Sequence, residues 1–411
     1  MKGPVVVVGA GAAGIIAAWR SASLGAETIL LEKTSRIGTK ILISGGGKCN
    51  ITHDGPIEDV LRAFRPNEAR FIRPSCYRFL NTEIVEMLTS RGLEVYTRPD
   101  GRIFPSTGTA KDVVAILREY LSEVGVKVHL NTAVLDVNFE AGQIATSAGE
   151  LQAQTVIVAT GGSSYPASGT TGDGWPWLRA VGHTIVPIRA ALAPVSLKFV
   201  DATRSGIALR DCVLKVRQNG KEVARWRDDL LFTHRGLSGP TVLGVSRVAS
   251  ECIESGPVEM EADIAPDRTF ESLTAEIIEW VRVNPKKRLS SMADLWVPRS
   301  LADSLLASAG TESDQLACNF SQKSRNRLVE VIKGWKLGEV HEVILDKGEV
   351  VAGGVDLNEV DPQTMASKRI DRLFLCGEVL DIAGPVGGYN LQAAFATGFV
   401  AGESAAQAVL R

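Results

Sequence analysis

Gly9, Gly11 and Gly14 stand at GxGxxG spacing, and Glu32 follows 23 residues after the first of them. Glycine at these places permits main-chain chemistry. Gly9 allows a tight turn, Gly11 lets a pyrophosphate approach the backbone, and Gly14 lets a helix pack closely on a strand. The exposed amides of a helix N-terminus and its partial positive charge then favour the phosphates. Glu32 can accept hydrogen bonds from ribose hydroxyls, and its charge disfavours a 2′-phosphate. Ala12 and Ala13 complete the loop.

The flanking sequence supplies the elements this chemistry needs. Val5–Val8 is a run of β-branched residues and reads as a strand buried on both faces. Ile15 to Leu24 reads as a helix, with Gly25 as its C′ residue. Thr28–Leu31 is the next strand, carrying Glu32 at its end. The context required of a dinucleotide site is complete: strand, glycine loop, helix, strand, acid.

Three further segments concentrate residues of the same kind. Gly38 to His53 contains Lys40, Ser44, Gly45, Gly46, Gly47, Cys49 and Asn50, a backbone-rich loop suited to a flat ligand or a phosphate. Thr155–Ala159 reads as a strand ending in Thr160, Gly161 and Gly162. Leu373–Leu375 reads as a strand followed by Gly377, Glu378, Asp381, Gly387, Gly388, Tyr389 and Asn390, then a helix from about Leu391 to Val409. Small residues such as Ala394, Gly398 and Gly402 suit that helix to close packing. Its N-terminus can stabilise negative charge on a reduced isoalloxazine.

At this point the chain resembles the YhiN- or BaiN-type, aminoacetone-oxidase-like family of NAD(P)/FAD-dependent flavoproteins. The resemblance rests on GAGAAG (Gly9–Gly14), SGGGKCNIT (Ser44–Thr52), GRIFPST (Gly101–Thr107), ATGGSSYPASGTTGDG (Ala159–Gly174), LLFTHRGLSGP (Leu230–Pro240) and the run Gly377–Gly402. Lys48, Trp175, Ala393 and Phe395 depart from the usual pattern and bear on the pocket wall more than on the cofactor cradle. The resemblance implies a doubly wound α/β, Rossmann-like FAD domain with an inserted β-rich domain carrying a helical subdomain. It also implies an FAD cradle of Gly9, Gly11, Ala12, Ala13, Gly14, Glu32, Lys33, Lys40, Ser44, Gly45, Gly46, Cys49, Asn50, Val134, Thr160, Gly161 and Gly162. From the chain end it adds Gly377, Glu378, Asp381, Gly387, Gly388, Tyr389, Asn390 and Leu391.

The domain boundaries follow the composition. Residues 1–190 and 352–411 are expected to form the FAD domain, 191–268 and 336–351 the β-rich insertion, and 269–335 the helical subdomain. Within the insertion, Cys212–Arg217 and Val223–Arg227 flank Asn219-Gly220, a hairpin with a type I′ turn. Val258, Met260, Ala262 and Ile264 alternate with Glu259, Glu261 and Asp263, the pattern of a half-exposed strand. Leu273, Ile277, Ile278 and Val281 share a helical face. There is no second GxGxxG unit, so NAD(P)H is expected only as a transient co-substrate.

Flavin carries the electrons, and side chains position and protonate. Tyr389, Cys49 and His234 are the candidate catalytic residues. Arg102 is a candidate for binding a carboxylate or phosphate. The His and carboxylate spacings form no metal motif, and no GxSxG elbow supports a serine hydrolase.

Composition limits the remaining classes. The 411 residues carry a net charge of −2, and 45% are apolar, as in an ordinary globular protein. The near-balance of charge and the lack of a basic tract argue against nucleic acid as a partner. No segment approaches the length of a membrane span. Lys2 with apolar Val5 to Ala18 also fits a signal peptide, but the glycine spacing would have no role in one. Six cysteines without a CxxC fit a reducing, cytoplasmic compartment. The expected activity is an FAD-dependent oxidation–reduction of a small organic molecule: reduction of an activated double bond, or oxidation of an amine or alcohol by O2. A flavin-dependent RNA-modifying protein is the alternative. The oligomeric state is left open.

Overall fold

The computed structural model describes residues 3–411; Met1 and Lys2 lie outside the described residues. The chain forms two compact units, Met1–Arg189 with Glu349–Arg411, and Ala190–Gly348. The second crossing falls at Gly348/Glu349, so Val350 and Val351, expected with the insertion, belong to the first unit. The reason is pairing: Val350–Val355 forms a two-stranded ribbon with Ile185–Ala191.

The first unit is built on a five-stranded sheet. Its order is Leu373–Leu375, Thr155–Val158, Val5–Val8, Thr28–Leu31 and Lys127–His129, with every pairing parallel. The strands are apolar throughout because helices cover such sheets on both faces. The register brings Val8 level with both Leu31 and Val158, and Val158 level with Leu375. The carboxyl ends of four strands therefore open at one edge. From Val5–Val8 the chain leaves to one neighbouring strand and later returns on the other side, a topological switch point.

The fingerprint helix spans Ala12–Ser23 and ends at Gly25, whose φ is +92°. The C-terminal helix, Tyr389–Leu410, lies against it. A Cβ on Gly398 would run into the carbonyl oxygen of Ala13, and one on Gly402 into that of Ala17. Thus two small side-chain positions, one helical turn apart, set the approach of chain beginning and chain end. Arg20 and Glu403 join the same two helices by an ion pair of 2.5 Å.

The second unit centres on a closed six-stranded barrel. Its order is Val195–Leu197, Gly236–Ser238, Lys221–Thr233, Ala208–Gln218, Glu259–Asp263 and Trp335–Val343. The expected hairpin is present and longer than anticipated, with Asn219 and Gly220 at φ +51° and +74°. Fully buried Trp335 packs near Phe232, their rings 6.1 Å apart. The strand Glu259–Asp263 departs from the half-exposed expectation, since Glu261 and Asp263 are also buried. Ion pairs make this tolerable: Glu261 with Arg217 at 2.8 Å and Lys215 at 3.5 Å, and Asp263 with Lys333 at 2.7 Å.

The helical subdomain comprises Phe270–Val283, Ser290–Ala293, Arg299–Ser308 and Gln322–Lys333. Leu273 and Ile277 are buried as expected, but Ile278 is exposed, so the apolar face of the first helix is narrower than its sequence pattern. No helix among the described residues is long and apolar enough to cross a membrane.

Candidate functional site

The loops that leave the carboxyl edge of the sheet build the site in the first unit. The first is the glycine loop. A Cβ on Gly14 would collide with the carbonyl oxygen of Gly9, whereas one on Gly11 would meet nothing. Gly14 is thus a packing residue and Gly11 opens a space. The helix behind it has Gly11 as N-cap and no side-chain cap. An open main-chain surface before an uncapped helix N-terminus fits a pyrophosphate.

Glu32 is fixed beside this loop. Its carboxylate accepts from the amides of Ala10 at 2.9 Å and Thr34 at 2.8 Å, leaving acceptor capacity for ribose hydroxyls. Thr132 N donates to Glu32 O at 2.9 Å, which draws the start of the Val134–Asn138 strand toward the same edge. Lys33 makes a different connection: its ammonium pairs with Asp173 at 2.5 Å and donates to Thr171 at 2.6 Å. It clamps the Gly161–Gly174 loop to the Glu32 strand end.

The triple-glycine segment is more regular than its sequence suggests. It starts as a helix at Thr39 and breaks at Ser44, where ψ is 147°, and Gly45 and Gly46 are left-handed. A Cβ on Gly45 would stand 2.9 Å from the Phe104 ring. Lys40 projects from the helical part and pairs with Glu378 at 2.6 Å and Ser164 at 2.9 Å. Glu378 also accepts from the amides of Val351 at 2.9 Å and Gly162 at 3.3 Å. One carboxylate therefore ties together four segments: Lys40, the Thr160–Gly162 turn, the Val350–Val355 strand and the chain end. Nearby the Thr160 hydroxyl is buried without a hydrogen-bond partner, so close to Gly174 that a Cβ there would stand 2.4 Å from it.

The C-terminal loop is braced by its own polar side chains. Asp381 accepts from Gly353 N at 2.8 Å. Asn390 accepts from Gly384 N at 2.8 Å and donates to Gly384 O at 2.9 Å, closing the turn before the helix. Asn50, with its amide oxygen toward Gly388, accepts from that residue's N–H at 2.9 Å. Gly377 lies so close to Ala13 that a Cβ would sit 2.7 Å from the Ala13 methyl. Gly387, Gly388 and Leu391 flank the helix start, whose N-cap Gly388 carries no side-chain cap. The groups expected in the FAD cradle thus divide into main chain left open, at Gly11 and Gly46, and side chains already committed to bracing, at Lys33, Asp381 and Asn390.

The catalytic candidates separate. Tyr389 is half-buried; its ring stacks on His53 at 4.6 Å and meets the edge of Phe64 at 6.2 Å. His53 is held by Nδ1 at 3.1 Å from Gly387 O, and Gly101 leaves room for the imidazole, since a Cβ there would strike it. Burial, reinforced by Asp100 and Asp59 and opposed by Arg102, pushes the Tyr389 phenol above its usual value. Arg102 itself pairs with Asp100 at 2.6 Å. Cys49 is completely buried in a left-handed conformation, φ +61°, and burial pushes its thiol up to about 12. A thiol so placed stays neutral and packs. His234 belongs to the second unit, exposed on the turn between Lys221–Thr233 and Gly236–Ser238. Among the described residues no group of His, Cys, Asp and Glu could hold a metal ion.

Sequence reasoning gave His53 and Asp173 little weight and passed over Ser164 and Phe64. Only a pairing signal could have found them, because each acts through a partner more than 100 residues away.

Fold and site together define an FAD-binding oxidoreductase with a Rossmann nucleotide-binding fold. The family model described as the HI0933-like protein Rossmann domain matches residues 3–404, and the chain belongs to that family. It is 30% identical to the ribosomal RNA dihydrouridine synthase of Haemophilus influenzae over 404 residues, 96% of each chain. It is 28% identical to the 3-dehydro-bile acid delta(4,6)-reductase of Clostridium scindens over 406 residues, 98% of each chain. Among solved structures, 3-ketosteroid delta1-dehydrogenase from Sterolibacterium denitrificans shares the fold with a TM-score of 0.53, at 15% identity, over 98% of this chain and 99% of that one.

Proposed function

We propose that this protein reduces a carbon–carbon double bond conjugated to a carbonyl, and that its substrate is a uracil ring in ribosomal RNA. The observation that carries the reading is end-to-end similarity to a protein named for making dihydrouridine in ribosomal RNA, at 30% identity. The bile-acid reductase, matched over a similar span, is also named for reducing a double bond. The two substrates share a feature: each offers a C=C polarised by a carbonyl.

FAD held in this cradle would, when reduced, supply the hydride for such a bond. The chain's own residues do the rest. Gly11 and the Ala12–Ser23 helix terminus hold the pyrophosphate, and Glu32 holds the ribose. The carbon next to the carbonyl needs a proton, and we assign its delivery to Tyr389. Its phenol is kept protonated by burial and by Asp100, and its ring is caged by His53 and Phe64. NADH or NADPH, docking transiently, is the proposed source of the reducing equivalents.

The test uses ribosomal RNA from a strain lacking this gene. Incubation with the FAD-loaded protein and NADPH should add two hydrogens to a uridine, detected by mass spectrometry of the nuclease digest. Anaerobic NADPH should bleach the flavin bands. RNA of unchanged mass beside a steroid 4,6-dienone that loses its absorbance would transfer the reading to the second substrate class.

A further inference from the structure

Two stretches of the second unit carry cations and no acid. Asn284–Ala293 holds Lys286, Lys287 and Arg288, and Gln315–Val329 holds Lys323, Arg325 and Arg327. Backbone hydrogen bonds lay the two side by side. Leu289 N donates to Gln315 O at 3.0 Å, Ala317 N to Lys287 O at 2.9 Å, and Cys318 N to Pro285 O at 2.9 Å. Arg288 and Leu316 form an antiparallel bridge. The chain then turns at Phe320 into the helix Gln322–Lys333, whose first two turns present the second set of cations. Arg325 folds back onto that turn, donating to Phe320 O at 2.7 Å.

The result is a six-cation patch in a chain of net charge −2. Lys286, Lys287, Arg288, Lys323 and Arg327 are exposed, and none of the six makes an ion pair among the described residues. Elsewhere on the unit several exposed arginines are neutralised: Arg227 by Asp211 and Asp267, Arg210 by Asp229, Arg282 by Glu279. Acids border the patch without pairing with its cations: Glu312 and Asp314 flank Ser313, whose carbonyl accepts from Ser290 N at 2.9 Å, and Asp294 follows the first stretch. Clustered unpaired cations repel one another, and a polyanion relieves that repulsion while releasing its own counterions.

We infer that this patch docks the phosphate backbone of the RNA substrate, an inference that rests on the ribosomal RNA reading above. RNA fits better than a lipid surface. The cations sit on an irregular turn and a helix start, and the exposed apolar side chains near them in sequence, Val283, Leu295 and Leu316, stand singly. A membrane-seated element needs a continuous apolar face to bury. The patch exposes no aromatic side chain, its Phe320 being buried, so it reads charge and shape and leaves base recognition to the redox site.

The test compares the wild-type holoenzyme with a triple variant, Lys286→Gln, Lys287→Gln and Arg288→Gln. FAD content and thermal melting serve as folding controls. Binding to protein-free ribosomal RNA and to poly(U) is measured across a KCl series. The variant should bind about tenfold or more weakly near physiological salt, and its log Kd against log salt slope should fall by about two to three. A charge-retaining variant, Lys286→Arg with Lys287→Arg, should bind like the wild type. Equal affinity and equal slope for wild type and triple variant would overturn the assignment. So would wild-type binding to vesicles of equal phosphatidylglycerol and phosphatidylcholine with no RNA affinity. Dihydrouridine formation is scored separately, so a failure of the uracil-reductase reading is recognised by itself.

Discussion

The first unit does its work with main chain, and the second presents its most distinctive surface with side chains. Around the sheet edge, glycines at positions 9, 11, 14, 45, 46, 377, 387 and 388 determine where backbone can approach a ligand or another helix. In the second unit glycine serves turns, as at Gly206 and Gly220, and close packing, as at Gly236 and Gly244, while charge is carried on exposed lysines and arginines. A backbone site restricts residue identity sharply, because a positive φ or a missing Cβ admits glycine and little else. A cationic patch accepts lysine or arginine at many positions, so its sequence signal is diffuse.

This contrast can be broken by experiment. The largest effect is expected at Gly11. Gly11→Val should leave a folded protein, because its side chain meets open space in the structure, yet retained flavin should drop from near-stoichiometric to near zero. Yellow, flavin-loaded Gly11→Val protein would show that the pyrophosphate does not lie there. In the second unit the comparable blow is to packing. Trp335→Ala removes a fully buried ring and should cost about 3–5 kcal/mol by chemical denaturation. A loss under about 1 kcal/mol would mean the barrel core is looser than its geometry implies.

A smaller, more selective effect is expected at Tyr389. Tyr389→Phe should retain FAD and its reduction by NADPH while lowering turnover by about a hundredfold, the scale of one lost general acid. Turnover at the wild-type rate would remove Tyr389 from the proton path and leave the His53 stack as packing alone.

The smallest effect concerns His183, buried at the root of the ribbon that joins the two crossings. Its Nδ1 lies 3.1 Å from Glu359, and Nε2 lies 2.8 Å from Ser367 Oγ. Burial holds its imidazole below the ordinary value of 6.5, with Glu359 opposing. The unfolded chain therefore binds the extra proton more readily. The contribution is fully present above that ordinary value and is lost as pH falls through it. Denaturation midpoints between pH 8 and pH 5 should fall on acidification, and His183→Gln should flatten that limb by roughly 1 kcal/mol or less. Glu359, whose carboxyl is pulled down to about 2, adds stability that is lost only in stronger acid, below the ordinary carboxyl range. A pH limb unchanged by His183→Gln would assign the acid sensitivity elsewhere.

Much of the fold was legible in advance, for reasons that lie in particular residues. The four valines at 5–8 require a doubly covered strand, and Asn219-Gly220 requires a tight hairpin. The strand at Glu259–Asp263 was misjudged because alternation reports polarity and does not report the Arg217, Lys215 and Lys333 partners that let carboxylates go inside. The pairing of Lys33 with Asp173, 140 residues away, was likewise outside what local sequence reports.

Local chemistry along the chain was enough to determine the nucleotide loop, the acid after the second strand and the small-residue face of the last helix, since each depends on neighbours within a few residues or one turn. Only the tertiary structure decided that Tyr389 stacks on His53, that Glu378 ties four segments together, and that two separate cationic stretches form one patch. Those features are distances between remote residues, and such distances exist only once the chain has closed its long loops.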